Sequence, residues 1–230
     1  MTSLARRFFS VAAAAVLTVA AACASSPPPD TRADDALAAA GHGKTGALVK
    51  LLESGVSPDV VDGNGNTPLI LAVREGHADT VEALLRFRPQ LDRRNRNGDN
   101  ALMLASLRGD TTTVDRLLAA GAKVNGNSGA HAWTALHYAA LEGKLPVVER
   151  LLAAGADVDA LSPNRSDALM LAARNGKIDV VRRLLQTPVA LDRRNDQGVD
   201  AETWARSKGN TDAADLIRKA RARSKSNAKR

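Results

Sequence analysis

A helix-start segment recurs along this 230-residue chain with a nearly constant period. Thr67-Pro68-Leu69-Ile70-Leu71-Ala72 is followed by Asn100-Ala101-Leu102-Met103-Leu104-Ala105, Thr134-Ala135-Leu136-His137-Tyr138-Ala139, Asp167-Ala168-Leu169-Met170-Leu171-Ala172 and Asp200-Ala201-Glu202-Thr203-Trp204-Ala205. The successive offsets are 33, 34, 33 and 33 residues. A fixed period of that length describes stacked supersecondary units, each too small to bury its apolar face alone, so neighbours must share a core.

The grammar of one unit predicts its shape. Thr67, Asn100, Thr134, Asp167 and Asp200 carry side chains that accept a hydrogen bond from free amides at a helix start, and Pro68 suits a first helical turn. Leu69, Ala72 and Val73 share one helical face. Gly76, Gly109, Gly143, Gly176 and Gly209 then end the helix at a common register. A second helix follows, with an i, i+3, i+4 triplet repeated as Val81/Leu84/Leu85, Val114/Leu117/Leu118, Val148/Leu151/Leu152 and Val181/Leu184/Leu185. Polar turns such as Ala120-Gly121-Ala122-Lys123-Val124-Asn125 and Ala154-Gly155-Ala156-Asp157-Val158-Asp159 close the unit. Ala72, Ala105, Ala139, Ala172 and Ala205 are small enough for adjacent helices to approach closely.

These segments resemble the ankyrin repeat, on the strength of TPLILA with a following EGH and of GADVD after paired leucines, from about Ala33 to Ile217. The tetratricopeptide period is close, but such arrays lack the TPL-type start and the Gly-Ala-Asp turn. The resemblance implies an all-α solenoid of about six helix-turn-helix units with connecting β-hairpin-like loops. Asp35-Ala36-Leu37 approximates the first helix start, and Leu48/Leu51/Leu52 match the second-helix triplet. At the other end Glu202 replaces a buried leucine and Arg218 falls where Leu85 stands, as expected of a polar cap.

The net charge of +7 raises the possibility of nucleic-acid binding, but its location argues otherwise. Arg218, Lys219, Arg221, Arg223, Lys225, Lys229 and Arg230 form an acid-free run. Without those seven and the leader's Arg6 and Arg7, 23 basic residues face 25 acidic ones. Nucleic acid is thus a disfavoured partner, and the alternative of nucleic-acid or anionic-polymer binding rests on the tail alone. Residues 218–230, basic and poor in apolar side chains, are expected to be disordered; contact with an anionic membrane surface and a plain solubilising role are both open.

Residues 1–22 read as an export signal, with Arg6 and Arg7 before an apolar run from Val11 to Ala22 that is too short to span a bilayer comfortably. Cys23, the one cysteine, directly follows Val19-Ala20-Ala21-Ala22. This boundary resembles a bacterial lipobox with Ala20 in place of the usual leucine. The resemblance implies lipidation at Cys23, a membrane anchor and, because Ala24 rather than Asp follows, sorting to the outer membrane from the periplasm; ordinary cleavage would leave no anchor. Arg6-Arg7-Phe8-Phe9 partly resembles a twin-arginine signal, but no Ser or Thr directly precedes it. Residues 23–32 form a Ser/Pro-rich tether of at most about 30 Å, and residues 33–217 the array. With one cysteine, no disulfide contributes within the chain.

No motif points to catalysis, a cofactor or a metal. Gly43-Lys44-Thr45 resembles the end of a phosphate-binding loop, but Ala38 stands where the motif needs glycine. His42, His77, His131 and His137 are dispersed among units; in ankyrin repeats the His137 position bonds neighbouring turns. Asp92, Asp159 and Asp192 recur with the period and read as turn formers. The expectation is a non-enzymatic, monomeric scaffold that binds another protein, with partner-binding positions carried over from the family's loop tips and concave face. These are Asn64, Asn66, Arg74 and Glu75; Arg94, Arg96, Asp99, Leu107 and Arg108; His131, Trp133, Leu141 and Glu142; and Asn164, Arg174 and Asn175. Trp133 leads this set as an exposed anchor, against the alternative that it folds over its own loop. Trp204, at the Leu71 position, reads as core. The Arg93-Arg94-Asn95 and Arg193-Arg194-Asn195 tracts read as solvated turns.

Overall fold

The computed structural model describes residues 31–126 and 132–227. From Arg32 onward these form one compact unit. Among the described residues there are twelve helices and no strand. They come as six pairs: α1 (Arg32–Gly41) and α2 (Thr45–Glu53), α3 (Pro68–Glu75) and α4 (Ala78–Arg86), α5 (Ala101–Arg108) and α6 (Thr111–Ala119), α7 (Ala135–Glu142) and α8 (Leu145–Ala153), α9 (Ala168–Arg174) and α10 (Ile178–Leu184), α11 (Ala201–Ser207) and α12 (Thr211–Asn227). The odd-numbered helices pack in succession as one row, and the even-numbered helices form a second row behind them.

All five expected N-caps act as such. Thr67, Asn100, Thr134, Asp167 and Asp200 each accept a hydrogen bond from the backbone amide three residues on, at 2.8 to 3.3 Å. Gly76 ends α3 in the left-handed region, φ 84°, where a residue with a Cβ is strained. A Cβ there would also collide with the Arg108 guanidinium of the next unit. The helix stop and the fit between units therefore depend on the same glycine.

The core is continuous along the stack. Leu69, Leu102, Leu136 and Leu169 are buried, and Ala72, Ala105, Ala139, Ala172 and Ala205 are 0% exposed. In each triplet from α4 to α10 the first two residues are buried, while Leu85, Leu118, Leu152 and Leu185 are partly buried against them. Because α7 packs on both α5 and α9, Ala139→Leu has no free volume to occupy. It is expected to cost about 1–3 kcal/mol, read as a lower urea midpoint.

The loops are hairpin tips joined edge to edge. Asp62, Asn95 and Asn195 fold their own tips by accepting the backbone amides two and four residues on, as short polar side chains do in turns. Adjacent tips then share one backbone bond, Arg96 N to Asn64 O at 2.9 Å and Asp196 N to Asn164 O at 3.1 Å. A second series runs along the loop bases. Asp59, Asp92, Asn125 and Asp159 each accept the amide of a residue 31 or 32 positions later, from Gln90, Lys123, Asp157 and Ala190.

Two expectations are corrected at the C-terminal end. The break at Arg218 does not occur, because α12 continues to Asn227. Ala, Arg and Lys, read as a disordered basic tail, are strong helix formers. Arg221 also ties the helix down, meeting Glu202 at 2.8 Å, Asp200 at 3.3 Å and Asp192 at 2.8 Å, and donating to Leu191 O at 2.8 Å. Glu202 is thus the receptor of an ion pair within the cap. Trp204 is half-buried rather than enclosed, with the Arg174 guanidinium 4.9 Å above its ring, an arrangement stabilised by the ring's negative face.

Candidate partner-binding face

The first-helix row and its hairpin tips carry nearly all of the expected binding residues, and the structure divides them by what they already hold. The densest group surrounds the start of α7. The Tyr138 hydroxyl donates to Asp99 Oδ1 at 2.6 Å. Burial first, and then the Asp99 carboxylate, raise the Tyr138 hydroxyl well above its ordinary value, so it stays a neutral donor. The Trp133 ring lies 5.3 Å from Tyr138 and, edge-on, 5.8 Å from His137. Arg94 donates to Gly98 O and Gly126 O, and reaches Trp133 O at 3.5 Å.

Trp133 is therefore a half-buried member of an aromatic cluster, not a projecting anchor. The physical reason is local: its aromatic neighbours on α7 offer it a packing surface that no other unit provides. Arg94 is half-buried and clamps two hairpins rather than facing solvent. Asn66 is 2% exposed, donating to Asp62 and accepting from Asn95 Nδ2 at 2.9 Å. These three, read as binding residues, hold the loops together.

Others combine exposure with a structural task. Arg108 donates to Arg74 O at 2.8 Å, and Asn175 to Leu141 O at 3.0 Å, so each occupies the helix end of the preceding unit. Arg74 and Glu75 pair with each other at 3.0 Å. Asn164 accepts from Ser162 Oγ at 2.6 Å and shapes its own tip, and Arg174 lies over Trp204. Asn64, Arg96 and Glu142 are exposed, while Leu107 and Leu141 are half-buried in the last turns of α5 and α7. His131 and Cys23 lie outside the described residues, as do the leader and residues 228–230. Sequence reading missed Tyr138, whose signal was available: it is the one tyrosine, and it stands where Leu71, Leu104 and Leu171 stand.

The histidines among the described residues are engaged in hydrogen bonds. His137 is 1% exposed, its Nε2 3.0 Å from Ala160 O while Nδ1 accepts from the Thr134 amide at 3.0 Å. Burial lowers its pKa from 6.5 to about 4, so the ring is neutral at physiological pH. His77 Nε2 meets Gly41 O at 3.1 Å, between units. Arg93 donates to Asp59 O at 3.2 Å, and Arg193 meets Asp159 at 3.1 Å; the paired-arginine tracts are inter-unit contacts more than solvated turns. Among the described residues, no group of three His, Cys, Asp or Glu side chains is placed to hold a metal ion.

Paired helices, tip-to-tip hairpins and side chains spent on the neighbouring unit define a stacked repeat protein with a varied outer surface. The family described as ankyrin repeats (3 copies) matches over residues 36–128, 92–162 and 136–228, and the chain belongs to it. The chain is similar to the ankyrin repeat-containing protein P1E11.10 of Schizosaccharomyces pombe, 47% identical over 47 residues, which is 20% of this chain; the match spans 23% of that relative's length. Its fold is similar to the crystal structure of the human ASB11 ankyrin repeat domain, with a TM-score of 0.64 and 25% identity, over 79% of this chain and 96% of that one. Ankyrin repeats are generally protein-protein interaction modules, and proteins of the family are typically non-enzymatic scaffolds.

Proposed function

We propose that this protein is a non-enzymatic binding platform of the bacterial cell envelope, engaging a partner protein through the first-helix row and the hairpin tips. The observation that supports this most directly is the division of labour on that face. Most core and loop contacts are made within the array, while the positions of Arg96 and Glu142 are exposed and change residue type along the units. Function in such folds lives in the surface rather than the scaffold. The envelope location rests on the leader and on Cys23, which follows the apolar run directly.

Photo-crosslinking residues placed singly at Arg96 and Glu142, and at the exposed second-row positions Arg86 and Ala153, test the face in the organism that makes the protein. Adducts to a common protein from the first two positions alone are expected; equal yields from all four would overturn the assignment. Mass spectrometry of the mature N-terminus is expected to find an acylated Cys23. An unmodified terminus after ordinary cleavage would remove the anchor while leaving the binding face in place.

A further inference from the structure

The second-helix row carries a ladder of opposite charges between successive units, and the ladder breaks at its fourth rung. One register position holds Glu82, Asp115, Glu149, Arg182 and Asp215; the next holds Ala83, Arg116, Arg150, Arg183 and Leu216. Glu82 pairs with Arg116 at 3.0 Å, and Asp115 with Arg150 at 2.8 Å, so the acid of one helix faces the arginine of the next. Glu149 and Arg183 repeat the same pairing of residue types in register. Between α10 and α12 the acid is replaced by Arg182, and the arginine by Leu216.

A groove of about 380 Å³ opens at this rung. Leu185, Leu216 and Ala220 give it an apolar lining, and Arg182, Lys219 and Arg223 supply three cations. No acidic residue lines it, and among the described residues none of these three cations is in an ion pair. Asp215, one turn before Lys219, is already engaged by Arg218 at 3.1 Å and Arg206 at 3.9 Å.

We propose that this groove binds an acidic peptide segment of a partner protein, whose carboxylates supply the acid missing from the fourth rung while its apolar side chains cover the leucines. The chemistry absent from the ladder is that of a carboxylate side chain. A concavity of this size between two helices admits a few side chains, whereas an anionic membrane is met by cations spread over an outward plane. The site belongs to the second-helix row, and it stands or falls separately from the face assigned above.

Fluorescence anisotropy of the full chain with a labelled peptide alternating Glu and Leu tests this, against the same peptide with Gln for Glu. The Glu peptide is expected to bind at least about tenfold more tightly, the worth of one charge-assisted contact, and to weaken as salt is added. Arg182→Glu with Leu216→Arg installs the residues of the Glu82–Arg116 rung. That variant is expected to keep the wild-type helix content and melting temperature and to lose about tenfold or more in affinity. Arg223→Glu, at an exposed position, gives the same reading if the double variant does not fold. Wild-type affinity in these variants, or equal binding of the Gln peptide, overturns the proposal. So does binding of phosphatidylglycerol vesicles without binding of the Glu peptide, which would assign the cations to lipid.

Discussion

Arg221→Ala is expected to detach the last unit from the array at about 2–3 kcal/mol lower cost than in the wild type, since it removes the shared cation of two partly buried carboxylates. Arg221 is 18% exposed, Glu202 17% and Asp200 10% by side chain. Burial pushes the Asp200 carboxyl up, but the Thr203 bonds and then Arg221 outweigh it and hold it below its ordinary value. Removing the guanidinium takes the ion-pair partner from Asp200 and leaves Glu202 only the exposed Arg206, 3.2 Å away. Repeat arrays lose units from their ends, so the change should be local. In a Trp133→Phe background, Trp204 reports the last unit alone, and its urea midpoint should fall by about 2–3 M for that energy if the unit unfolds by itself with a slope of about 1 kcal/mol per M. Pairing Arg221→Met with Glu202→Leu, which restores the leucine of the other units, should recover most of the loss. An unchanged midpoint for Arg221→Ala would show the cluster to be solvated decoration.

The second large effect concerns two buried groups that titrate in opposition. His137 falls from 6.5 to about 4 through burial. Asp167, 1% exposed, rises from 3.8 to about 6, because burial outweighs the Met170 amide and Arg193, which stands 3.6 Å away and is shared with Asp159. For His137 the unfolded chain binds the extra proton between about pH 6.5 and 4, so stability falls as the pH falls through that window. For Asp167 the folded chain binds it between about pH 6 and 3.8, so stability rises as the pH falls. The two slopes nearly cancel from pH 6 to 4. Asp62 and Asp200, both lowered, act only below that range.

Asp167→Asn retains an N-cap of the kind Asn100 provides and removes one of the opposing slopes. The variant should be more stable than the wild type at pH 7. It should then lose up to about 3 kcal/mol between pH 6.5 and 4, where the wild type stays nearly level. Denaturant midpoints measured every half unit of pH decide the matter, and parallel profiles would refute the opposition.

What could be read from the sequence was whatever lies within one unit. Caps, triplets and stopping glycines depend on neighbours three or four residues away, and each appeared where its spacing put it. The contacts that Asn66, Arg94 and Trp133 make within the array were not legible because their partners are Asn95, Gly126 and Tyr138: two lie a whole unit away, and the third is the chain's one tyrosine. Arg221 was hidden for a related reason, since its partners precede it by 19 to 30 residues while its immediate surroundings look like a solvated tail. The period itself predicts that such contacts exist, though not which side chains make them.

The series at the loop bases has a consequence for how such a chain can change length. Asp59, Asp92, Asn125 and Asp159 receive backbone amides, and an amide is the same whichever side chain it carries. On its donor side this joint therefore recognises position and ignores the side chain. A whole unit can be duplicated, lost or exchanged and the joint closes again, provided the spacing is kept. The chain can then vary the length of its surface and the composition of its surface as separate variables.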